Sequence, residues 1–356
     1  MRPRNAIIVA VLVCAAAVYG QKQVSQQSST VEVDINGRPV QYPSFSSVQT
    51  PTGAQRSETT RSINGREVPL QSSEDRVLSQ DATSKVIERT VRYNTATGNP
   101  GLAERVRIEE RKNPDGSTTM VSTTYRNDIN GNPQLWERTT TEVRKGATIT
   151  ESTSTLERAN LNGGLQVFER TRAVERTVGD ATQADATTYR RDVNGNLSPF
   201  KQEARTTEKR GNEQSVDSAQ YELGPDGKMQ LAIRAVGKTV KNPDGSEVEQ
   251  VDVYSRHGGQ SAADVNASQP RLQQQILRQK SQTPEGKIVE TTSVRARLAQ
   301  DPSRFGNFEQ VTRTTTVATD ATGREVRSTE TQIGRRDASG NIVVQEKGRE
   351  QTVVVK

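Results

Sequence analysis

"NDINGNPQLW", residues 127–136, returns with small changes as "RDVNGNLSPF" at 191–200. The two glycines, Gly131 and Gly195, stand 64 residues apart, with Gly163 at the midpoint. The series extends both ways. Gly131, Gly163, Gly195, Gly227 and Gly259 recur every 32 residues, Gly98 and Gly65 precede them at steps of 33, and Gly37 lies 28 further back. A second family falls between: Gly53, "DATS" at 81–84, Gly116, Gly146, Gly179, Gly211 and Gly245. Gly286, Gly323 and Gly340 close the chain after a longer interval. A fixed period over nearly the whole length is the mark of a repeat array.

The residues around these glycines explain what recurs. Asn-Gly, Pro-Asp-Gly and Asp-Ala-Thr-Gly reverse an extended chain, because Asn and Asp bond their own backbone and Gly accepts positive φ without strain. Between reversals lie stretches such as "TTTEV", "TVRY" and "VTRTTTV", whose alternating Thr and Val favour paired, extended backbone. The unit therefore reads as a long β-hairpin of about 32 residues. The predicted fold is all-β: an elongated antiparallel meander of about 20 long strands, single-layer or coiled. Laid flat, it would measure roughly 40 Å by 90 Å.

Offsets from the turn glycines assign faces. Five residues on stand Trp136, Phe168 and Phe200, with Ala103 and Ala232 in neighbouring repeats; seven on stand Arg105, Arg138, Arg170 and Arg234. Both offsets are odd, so strict alternation puts them on one face, continued by Arg107, Arg172 and Arg144. Leu102, Leu135, Val167, Glu137, Glu169, Val106, Ile108 and Val143 fall on the other. The arginine face is the candidate surface for a polyanion.

Composition limits the classes available. Hydrophobic residues make up 30% and aromatics 4%, too few for one conventional large core. The opening residues, Arg2 and Arg4 followed by "AIIVAVLVCAAAV", read as a signal peptide over 1–20 cleaved after Gly20. The chain after it carries no cysteine, since the one cysteine is Cys14. Residues 21–29 read as a polar linker and 30–356 as the hairpin array. The period breaks at 257–270, read as an enlarged turn with strand resuming near Arg271, and "AQDPSRFG" at 299–306 enlarges a second turn. Long loops at one end of an array are where recognition is commonly placed.

No motif points to catalysis or to a cofactor. Asp128, Asn130 and Asn132, or Asp192, Asn194 and Asn196, alternate as calcium ligands do. An EF-hand loop, however, needs glycine at its sixth position and a bidentate Glu at its twelfth. Here glycine falls fourth, and the related turn "GPDG" at 224–227 lacks the ligand set. His257, the single histidine, sits on a Gly-Gly turn without a convergent carboxylate and nucleophile. Aromatic residues are too scarce to stack nucleic acid bases.

The expected function is that of a secreted, non-enzymatic structural or adhesive protein of the cell surface, extracellular matrix or periplasm. Its partner would be itself, joined head to tail through unprotected edge strands at 30–34 and 351–356. The alternative is a monomeric binding module for an anionic polysaccharide or envelope surface, using the arginine face and the two long loops. An outer-membrane barrel is disfavoured, because it needs an apolar outer band that "ERTTTEVRK" lacks.

Overall fold

The structure is a computed structural model. It describes residues 23–33, 39–41, 44–49, 55–63, 66–94, 100–256, 270–297 and 304–355, except the single turn residues 129, 161, 193, 225, 322 and 338. The stretch expected as a signal peptide, His257 and most of the enlarged loops lie outside the described residues.

All the described regular structure is strand. The elements are β1 Gln23–Val33, β2 Pro39–Gln41, β3 Ser44–Gln49, β4 Gln55–Ile63, β5 Arg66–Gln80, β6 Ser84–Asn94 and β7 Pro100–Lys112. There follow β8 Thr118–Asn127, β9 Pro133–Lys145, β10 Ile149–Ala159, β11 Leu165–Val178, β12 Ala181–Arg191, β13 Leu197–Arg210 and β14 Glu213–Leu223. The last are β15 Met229–Lys241, β16 Glu247–Ser255, β17 Arg271–Gln282, β18 Ile288–Arg297, β19 Phe305–Thr319, β20 Glu325–Arg336 and β21 Ile342–Val355. The meander is the expected one. Two boundaries differ: β1 begins inside the supposed 21–29 linker, and β19 takes in Phe305 and Gly306 from the second enlarged loop.

From β3 onward consecutive strands pair antiparallel in one 21-stranded sheet. The ladder does not stop at β21, which pairs with β1 from Gln23↔Val355 to Glu32↔Glu346. On its other flank β1 pairs with β3 from Val24 to Ser28 and with β2 from Val31 to Val33. The ladders thus return to their start, and the wall is a barrel. The strands that hold the edges expected at 30–34 and 351–356 pair with each other, Gln351–Val355 with Gln23–Gln27 and Thr30–Glu32 with Glu346–Gly348, so neither strand is the free edge that the head-to-tail reading needed.

Sequence alternation alone misses the cause of closure. In hairpin after hairpin the register skips one residue: Leu70, Trp136, Phe168, Phe200, Ala232, Gln273, Phe308 and Gln345 each lack a direct partner. Each is a β-bulge, which bends its strand and increases the local right-handed twist. Repeated around the sheet at one height, that bend curls the meander until its ends meet.

The turns match the sequence reading closely. At 128–132 the Gly131 amide donates to the Asp128 carbonyl at 3.0 Å, and the Asp128 amide donates to the Asn132 carbonyl at 2.9 Å. Gly131 has φ +83° with nothing near a would-be Cβ, so the left-handed backbone alone requires glycine there.

No filled core supports the wall. Among the described residues only Val91, Ala232 and Val253 are buried hydrophobics. Cohesion comes from the ladders and from cross-strand pairs such as Thr171–Thr188 at 3.0 Å and Thr315–Thr329 at 2.9 Å, each contributing about 0.2–1 kcal/mol. With about 4.8 Å between strands and a tilt of about 40°, a ring of this many strands is about 40 Å across at its backbone. Side chains cannot fill that width, so the lumen is wet.

Candidate functional site

The turns at 128–132, 160–164, 192–196 and 224–228 lie at one rim, called upper here; those at 113–117, 179–180 and 242–246 lie at the lower rim. Register fixes the two faces of the wall. Arg107 pairs Thr123, Thr123 pairs Arg138, and Arg138 pairs Glu157. Following such chains, Arg105, Arg107, Arg138, Arg144, Arg170, Arg172 and Arg234 share one face, as expected. Arg107 meets Glu109 at 2.6 Å, Arg144 meets Asp115 at 3.2 Å, Arg234 meets Asp217 at 2.6 Å, and Arg105 stands 3.9 Å from Glu88. Among the described residues Arg138, Arg170 and Arg172 form no ion pair.

The aromatics are not on that face. Arg126 lies 4.4 Å from the Trp136 ring centre, Arg158 4.2 Å from Phe168 and Arg190 3.8 Å from Phe200. These arginines belong to the opposite face, where they pair with Glu104, Glu137 and Glu169. The expected shared face is thus corrected. Each ring sits on the bulge, and the extra residue inverts the alternation between offsets five and seven. For the same reason Leu135 and Val167 join the arginine face, while Glu137, Glu169, Val106, Ile108 and Val143 stay opposite.

Exposure tells which face is concave. Along β7, Glu104, Val106 and Ile108 of the aromatic face are half-buried while Arg105, Arg107 and Glu109 of the arginine face are exposed. Glu104, Glu137, Glu169, Glu249 and Glu309 keep 12–31% of their side-chain exposure, though Glu203 and Glu290 keep 49% and 45%. Glu109, Glu142 and Asp217 on the arginine face keep 44–52%. Side chains converge and shield each other inside a ring and diverge outside it. The Glu–Arg–aromatic face therefore lines the lumen, and the arginine face is convex.

The convex face carries a second feature near the upper rim. Tyr125 pairs Leu135, Tyr189 pairs Pro199, Tyr221 pairs Leu231 and Tyr254 pairs Leu272. Leu223–Met229 and Arg191–Leu197 form the row above, and Phe305, Ile342 and Val344 continue the belt on later strands. Arg138, Arg170 and Arg234 stand directly beneath it. Sequence did hold this signal: Tyr125, Tyr189 and Tyr221 each precede a turn glycine by six residues. The belt is two residue rows tall, about 10 Å along the strands, against the ~25 Å apolar band of a spanning barrel. Below it the convex wall is charged.

The alternating Asp/Asn stretches are turn construction. Oδ1 of Asp128 accepts the amides of Asn130 and Asn132, both at 2.9 Å, and Asp192 does the same for Asn194 and Asn196. At the lower rim Asp115 accepts the Ser117 amide at 3.0 Å and its hydroxyl at 2.7 Å, a pattern whose amide bond recurs at Asp244. The Ser117 hydroxyl bond, above all, holds the Asp115 carboxyl below the ordinary carboxylate range, and the Asn132 amide does so for Asp128. A depressed folded value means these bonds are complete above the ordinary pKa and are lost as pH falls through the folded one. Amide exchange at Ser117 and Asn132 is therefore expected to stay protected at about pH 4, where an ordinary Asp is half protonated, and to rise only in stronger acid. Loss of protection at pH 5 would contradict it.

No protein-family model and no curated protein matches the sequence. Solved structures do resemble the fold. OccK2 (OpdF) and OccK8 (OprE) of Pseudomonas aeruginosa each align at TM-score 0.50 and 10% identity, over 94% of this chain and 96% and 97% of theirs. A mutant of the Rh. blastica porin aligns at TM-score 0.44 and 8% identity, over 94% of this chain and 98% of its own. These neighbours are outer-membrane barrel porins, and at this identity the likeness is one of fold alone. Together with the joined edges, these barrel neighbours correct the sequence reading of a secreted structural or adhesive protein of the cell surface or matrix and its alternative, a monomeric binding module for an anionic polysaccharide or envelope surface. Wall polarity had argued against a barrel, but closure is set by backbone curvature, which polarity does not report.

Proposed function

We propose that the chain is a non-enzymatic, channel-forming barrel of an outer membrane, passing hydrophilic solutes through its lumen. The observation that carries this is the unbroken ring of strands around a space too wide for side chains to fill. The inner wall suits water: Arg126, Arg158 and Arg190 are each paired with a glutamate, and its mid-height is rich in Thr, Ser and Ala, as at Thr139, Ser154, Thr171 and Ala186. The Tyr–Leu belt supports a seat at a bilayer interface, where amphipathic rings settle, and the arginines beneath it suit lipid phosphates. The belt covers less than half of the ~25 Å apolar band of a spanning barrel, so the channel reading is carried by the ring of strands and not by the outer wall.

Purified protein added to planar bilayers is expected to give discrete, long-lived conductance steps. A Leu135→Asp/Leu231→Asp variant should lose both vesicle flotation and conductance while keeping its β-type circular dichroism. Protein that floats with vesicles yet never conducts would overturn the channel.

A further inference from the structure

We infer that the lumen wall at β8–β13 is a binding track for a linear, neutral oligosaccharide. The constellation repeats three times with the period of the chain. Arg126, Arg158 and Arg190 are 32 residues apart, as are Trp136, Phe168 and Phe200. In each unit a glutamate on one strand holds an arginine on the next, which lies over a ring on the strand after that. The ion-pair distances are 2.6 Å for Arg126–Glu104, 3.5 Å for Arg158–Glu137 and 2.9 Å for Arg190–Glu169. Arg190 also lies 5.7 Å from Phe168, so ring, guanidinium and ring follow one another around the wall.

Backbone construction does not require the rings. The same bulge forms with Ala232, Gln273 and Gln345, which carry none. At the first two the arginine is gone as well, Glu222 and Ser255 standing where Arg126, Arg158 and Arg190 stand in the three units, while at Gln345 the pair persists without a ring as Glu309–Arg335 at 3.4 Å. The rings are accessible, with Trp136 45% and Phe200 38% exposed. Rings on alternate strands are about 10 Å apart, close to the advance of two pyranose units in an extended chain. Flat apolar surface suits the C–H face of a sugar, while Glu–Arg pairs offer acceptors and donors to its hydroxyls.

Charge selects a neutral ligand. Each arginine of the track has its own glutamate, so the row carries no net charge and offers a polyanion little attraction. The unpaired Arg138, Arg170 and Arg172 lie on the convex side. The inference rests on register and contacts, and does not depend on conduction.

Trp136 is the single tryptophan, so intrinsic fluorescence reads the track directly. The refolded chain is titrated with malto- and cello-oligosaccharides from the disaccharide upward, and in parallel with polygalacturonate. Expected is a saturable change in emission with a neutral series, tighter as the chain lengthens and unaffected by salt. Phe168→Ala and Phe200→Ala should each weaken binding about fivefold, and Phe308→Ala, a bulge ring on β19, should not. No response to either neutral series, a response to the polyanion alone that salt removes, or equal weakening by all three variants would each overturn it.

Discussion

A Gln27→Cys/Gln351→Cys variant is expected to form an intramolecular disulfide under mild oxidation, locking the barrel shut. The two positions are direct partners in the β1–β21 ladder. Partners in an antiparallel pair have Cα atoms about 4.5–5.5 Å apart, inside the range a disulfide bridges. Cys14 apart, the native chain supplies no competing thiol. The cross-linked product should run as a monomer with mobility changed by reductant. It should withstand heating or denaturant that opens the reduced form, because the bridge closes a loop spanning almost the whole chain and removes about 6 kcal/mol of unfolded-state entropy. If the same thiols gave only reducible dimers and higher ladders, the ends would be meeting other molecules and the ring would be wrong.

Arg89→Met is expected to destabilise the barrel by about 3 kcal/mol, and adding Asp75→Val should restore stability to within about 1 kcal/mol of the native chain. Asp75 and Arg89 face each other across β5 and β6. The guanidinium grips the carboxylate with two bonds, Nε to Oδ1 at 2.7 Å and Nη2 to Oδ2 at 2.9 Å. Asp75 retains only 4% of its side-chain exposure. Removing the arginine strands a buried carboxylate; removing both partners leaves an apolar pair beside Val77, Ile87 and Val91. Urea unfolding midpoints for the two variants decide this. A double variant as unstable as the single would show that the pair contributes through more than mutual compensation.

How much of this could be read from sequence depends on the range of the interaction concerned. Turn positions were legible because the turns are local: Gly131 needs its left-handed backbone, and the Asp128 carboxylate bonds amides within four residues. The resumption of strand at Arg271 after the enlarged loop was legible for the same reason. The shared face of Arg105, Arg138, Arg170 and Arg234 was found through counting with period two, but the companions assigned to it were partly wrong. Counting crossed a bulge whose extra residue shows no mark in its own side chain, since Trp136, Ala232 and Gln345 all occupy it. The Tyr–Leu belt was hidden by the same slip, which moved Leu135 and Val167 to the wrong side.

By itself the sequence determined the hairpin period, the turn chemistry, the all-β class and a wall too polar for a filled core, because each depends on residues near one another along the chain. Only the tertiary structure decided that the ends meet, which face lines the lumen, and that rings and guanidinium groups alternate along it. Those follow from small bends summed over many strands, a quantity no single stretch of sequence carries.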